Sequence, residues 1–98
     1  MRYSLTEKLK FEKDPQIEVG GKIVTVKSDA MTVLKLLDAI NNKEPMESAL
    51  YAYDVIFSEK DKKTIEGLGL KFDDFALLLK TAMALATGED PDADQQGE

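Results

Sequence analysis

The hydrophobic period of this 98-residue chain changes once, near Lys27, from about two residues to about 3.6. Apolar side chains that recur every second residue face one side of a strand, and those that recur every 3.6 residues face one side of a helix. One change of period means strands first and helices after, an α+β layout rather than alternating βαβ units. Ile17 and Val19 precede Gly20-Gly21, and after it Ile23, Thr25 and Lys27 alternate with Val24 and Val26. A Gly-Gly pair between β-branched runs predicts a tight hairpin, because primed turns need positive φ and glycine adopts it freely. Asp14-Pro15 stops the chain ahead of the first arm. Farther upstream, Tyr3, Leu5, Leu9 and Phe11 occupy odd positions, which predicts another strand through residues 3–12, although Leu5–Lys10 also suits a helix.

Beyond Lys27, Ser28 or Asp29 is placed to cap a first helix that ends at Asn41-Asn42. At 100° per residue, Ala30, Val33, Leu34, Leu36, Leu37 and Ile40 share its expected core face, with Thr32, Lys35 and Asp38 opposite. Pro45 opens a second helix through Phe57. Ser58 caps a short third one, with Asp61 three residues on as a shortened capping box, and Gly67-Leu68-Gly69 ends it. A fourth helix runs from about Asp73 to Thr87, with Gly88 as its stop. Residues 1–88 are thus expected to form a single α+β domain: an N-terminal β-hairpin or small antiparallel sheet followed by about four α-helices.

The chain contains neither cysteine nor histidine. Disulfides, thiol nucleophiles, Cys/His zinc sites and imidazole bases are therefore excluded, and an enzyme is not expected. Asp73-Asp74 reads either as an acid pair or as a cap and a dipole partner at the start of the fourth helix. Asp90, Asp92 and Asp94 alternate as in a calcium loop, but the glycine and the closing glutamate of that motif are missing. Lys60, Lys62 and Lys63 suit a solvated helix face, and Gly20-Gly21 lacks the helix that follows a phosphate-cradling loop. No metal or other cofactor is expected.

The net charge of −6 is unevenly distributed. Residues 89–98 hold five acids and no base, leaving 14 acids against 13 bases in residues 1–88. The expectation is a nearly neutral domain with a disordered acidic tail over 89–98. Without a basic stripe, nucleic-acid binding is not expected. Without a run of roughly 18 apolar residues or a signal-type segment, no membrane association is expected, and the protein is read as cytoplasmic.

The helices hold more apolar residues than one small core uses. On the fourth, Phe75, Leu78, Leu79, Ala82, Met83, Leu85 and Ala86 form the expected core face, and Leu77 and Ala84 lie off it. On the second, Met46, Ala49, Leu50, Tyr53, Ile56 and Phe57 form one stripe, and Tyr51 and Val55 a second. Either the second helix is central and the fourth merely long, or Tyr51, Val55, Leu77 and Ala84 contact another chain.

The run Ser58–Leu70, the segment Phe72-Asp73-Asp74-Phe75 and the apolar helix ending Ala86-Thr87-Gly88-Glu89-Asp90, with the preceding hairpin, resemble the tail assembly chaperones of long-tailed bacteriophages and prophages. The likeness covers about residues 17–90 and is one of layout and local pattern. It implies a protein that coats the long, helical tape measure protein, keeps it soluble and helps recruit tail tube subunits, acting as a homo-oligomer in the host cytoplasm. It implies no catalytic residues. Many members of the family also have a longer, frameshifted form, whose extension would join at the acidic tail. The rival expectation is a small acidic regulator or inhibitor acting by protein–protein interaction. That role needs carboxylates arrayed on the folded surface, whereas here the charge excess lies in the tail.

Overall fold

The computed structural model describes residues 1–90. Its element order is β1 (Gln16–Val19), β2 (Lys22–Thr25), α1 (Ala30–Asn42), α2 (Pro45–Ile56), α3 (Glu59–Gly67) and α4 (Phe72–Ala86). The α+β layout expected from the change of period is the one observed.

β1 and β2 pair antiparallel with Ile17 opposite Val24 and Val19 opposite Lys22. The two-residue turn has φ of +56° at Gly20 and +78° at Gly21, as the twist of a tight hairpin demands. Pairing continues past the strands where the Val26 N–H donates to the Pro15 carbonyl at 2.8 Å. Val24 and Val26 are fully buried and Ile23 faces outward, so one side of the ribbon closes the core. Two bonds tie β2 to the helices. The Lys27 N–H donates to the Ile56 carbonyl at 3.1 Å, and the Thr25 N–H donates to the Asp61 carboxylate at 2.9 Å.

That second bond corrects the expected capping box. The Asp61 N–H does donate to the Ser58 hydroxyl, at 3.2 Å, but the Asp61 carboxylate reaches to β2 rather than back to Ser58. The start of α4 also differs. Lys71 is its N-cap without a side-chain bond, and Asp73 and Asp74 both lie inside the first turn, where they complement the helix dipole and cap nothing. Its other end is as expected. Gly88 has φ of +83°, its N–H donates to the Leu85 carbonyl, and the Glu89 N–H reaches the Ala84 carbonyl at 2.8 Å.

The core joins Val24, Val26, Leu36, Ala52, Ile56, Phe57, Ile65, Leu78, Leu79, Ala82 and Ala86. α4 buries the face expected of it, α2 buries most of its first stripe, and α1 departs from expectation. α1 buries Thr32, Leu36 and Ala39, and leaves Leu34, Leu37 and Ile40 in the open. α2 buries Ser48, Ala52 and Ile56, and leaves Met46 and Leu50 in the open. Each buried set combines small side chains with one large one, Leu36 on α1 and Ile56 on α2, both of which join the core. Thr32 is admitted because its hydroxyl donates to the Asp29 carboxylate at 2.7 Å, so no polar atom is stranded.

The strand expected through residues 3–12 is not formed. Thr6–Lys8 make a single 3-10 turn, and residues 1–13 contribute no buried side chain. A third strand needs a partner edge, and the short hairpin pairs only with itself. The tail expected over 89–98 falls, for residues 91–98, outside the described residues.

Candidate functional site

Several of the polar groups that could carry chemistry hold the fold instead. Lys62, from the basic cluster, is mostly covered and pairs with Asp54 at 2.6 Å and Glu59 at 3.0 Å. Hydrogen bonds from Lys62 hold the Asp54 carboxyl below the usual range, and the same partners raise Lys62. The Tyr53 hydroxyl donates to the Lys62 carbonyl and the Glu66 carboxylate at 3.2 and 3.0 Å. Burial first, then the bond to Glu66, pushes its pKa up to about 12, so the phenol stays neutral. Its ring stacks edge-on against Phe75 at 5.2 Å, joining α2 to α4. Among the described residues, no group of three or more acids is arranged to hold a metal ion. Nor is any helix long and apolar enough to cross a membrane.

What the surface offers is apolar area. Phe72, Leu77, Leu50 and Met46 are all more than half exposed on α2 and α4, and Leu34, Leu37 and Ile40 form an open row on α1. Where Ile40 meets α2 and α4 there is a shallow groove of about 290 Å³, lined by Ile40, Lys43, Pro45, Ser48, Ala49 and Met83.

Tyr51 and Val55 lie on α2, and Leu77 and Ala84 on α4. Leu77 is 59% exposed and Ala84 is half-buried, seven residues apart on the outer side of α4. Tyr51 and Val55 lie on the flank of α2 turned away from Tyr53, which is the side that meets Phe75 of α4. Val55 packs against the core, and Tyr51 is half-buried with the Lys43 ammonium 5.3 Å from its ring centre. Sequence reasoning placed Leu34, Leu37 and Ile40 on one apolar face of α1 and Met46 and Leu50 on one stripe of α2, and singled out none of the five as open surface. No local signal separated them: at 100° per residue the six apolar residues named on α1 span about 160°, the same width as the core face named on α4.

Comparisons with family models, curated proteins and solved structures found no match to this chain.

Proposed function

We propose that this protein is a tail assembly chaperone of the long-tailed phage type. It binds the tape measure protein through apolar helix surface, keeps that protein soluble and helps to recruit tail tube subunits in the host cytoplasm. The observation that carries this reading is the set of large apolar side chains standing open on α2 and α4, namely Met46, Leu50, Phe72 and Leu77. Such positions suit an amphipathic helix that lays its apolar face along them. The hairpin-then-helices layout is also the one the sequence resemblance implies.

The test is co-expression with the tape measure protein of a long-tailed phage. The parent chain is expected to hold it in the soluble fraction and to co-purify with it. Leu77→Asp is expected to lose most of that capture while keeping the parent circular dichroism spectrum, because an open side chain contributes little to folding. Full capture by a folded Leu77→Asp variant would remove this surface from the reading. A tape measure protein that stays insoluble beside the parent would remove the function itself.

A further inference from the structure

Residues 1–13 are apolar and basic, yet nothing in the folded chain uses them. Tyr3, Leu5, Leu9 and Phe11 are all exposed, Phe11 at 84%. Among the described residues, every hydrogen bond made by this segment closes within it. The segment therefore behaves as an arm. Its root is fixed. The Asp14 carboxylate accepts from the Ser28 hydroxyl at 2.9 Å and from the Ser28 N–H at 3.3 Å, so the arm leaves the body beside the N-cap of α1. Pro15 disfavours a helical Asp14, which keeps the root extended.

α1 carries the matching surface. Leu34, Leu37 and Ile40 recur at three-residue steps on its outer side, each about half exposed, and the row ends at the groove between α1, α2 and α4. Lengths agree as well. α1 is roughly 20 Å long, and nine extended residues span about 30 Å. Charge is complementary too. The arm has four bases and two acids, and residues 14–90 have nine bases against 14 acids.

We propose that the arm of one copy lies along the Leu34–Leu37–Ile40 row of a second copy, and that the exchange is reciprocal, giving a two-fold dimer. The single chain leaves its own arm off its own α1, while a second copy supplies both missing halves at once. Arm exchange of this kind buries an existing element against an existing face and needs no refolding of the body. The proposal uses the α1 row and stands independently of the chaperone reading, which rests on α2 and α4.

Light scattering on the full chain after size exclusion, at micromolar concentration, tests it. The parent is expected to be a dimer. Leu9→Asp/Phe11→Asp in the arm and Leu34→Asp/Leu37→Asp in the row are each expected to weaken that dimer by roughly tenfold or more. Both variants should keep the parent circular dichroism spectrum, since all four side chains are exposed. An equimolar mixture of the two variants should regain a heterodimer, because it still contains one intact arm and one intact row. A monomeric parent, with the arm loose or lying on its own α1, overturns the proposal. A dimer that survives the arm substitutions but not those in the row would overturn it too, by showing that copies meet helix to helix.

Discussion

Replacing Gly20 should cost more than replacing Gly21, although the two are neighbours in one turn and both have positive φ. An alanine in the left-handed region costs about 1–2 kcal/mol from contact between Cβ and the carbonyl. Part of that is offset, by roughly 0.4–1 kcal/mol, because alanine also narrows the unfolded ensemble. Gly21→Ala carries only these two effects, since a Cβ there meets nothing within 4 Å, and a net loss of about 1 kcal/mol is expected. At Gly20 the new Cβ would lie 3.0 Å from Cδ2 of Leu68, which must move aside. Displacing a side chain from its rotamer costs about 0.5–1.5 kcal/mol, which brings Gly20→Ala to roughly 2 kcal/mol. Urea unfolding followed by circular dichroism measures both, with an unchanged m-value confirming that the native state is the one affected. For a domain of this size each kcal/mol is about 4–8 °C in Tm, so heating scans should separate the variants. The same argument makes Leu68→Ala a relief for Gly20→Ala, with a coupling of about 0.5–1 kcal/mol in a double-mutant cycle, and neutral toward Gly21→Ala. Equal losses at the two glycines, or no coupling to Leu68, would refute the close approach of the turn to that side chain. Valine at either position should exceed 1 kcal/mol, because β-branching makes the left-handed region harder to reach.

Asp61→Ala should destabilise by about 1–2 kcal/mol, since it strands the partly buried Thr25 N–H, and amide exchange at Thr25 should accelerate relative to Val24. Tyr53 predicts an alkaline limit. Its folded pKa of about 12 lies above the ordinary phenol value near 10, so its contribution is complete below pH 10 and disappears as pH rises toward 12. Urea midpoints measured between pH 9 and 11.5 should fall for the parent and fall less for Tyr53→Phe. The same series toward acid should show the opposite sense for Asp29. Its carboxyl is held low chiefly by the bond from the Thr32 hydroxyl, so its contribution is present above the ordinary aspartate range and lost as pH falls through the folded value.

Much of this protein is legible in its sequence because the signals are local. The hairpin follows from two glycines between β-branched runs, and φ beyond +50° at both is the conformation for which glycine is suited. The Asp29 cap, the Pro45 opening and the Gly88 stop each depend on backbone groups within a few residues, so their meaning survives without the rest of the chain. Periodicity also identified the core face of α4. On α1 an apolar arc of the same width did not, because periodicity cannot say which part of an arc a neighbour will cover. The tertiary structure decided that Thr32, Leu36 and Ala39 would be buried, leaving Leu34, Leu37 and Ile40 outside. The pairing of Asp61 with Thr25 was equally out of reach, because the two are 36 residues apart and only folding brings them together. Residues 3–12 have an alternating pattern but no strand, since a strand exists only where a second backbone offers its hydrogen bonds, and no local sequence supplies that partner.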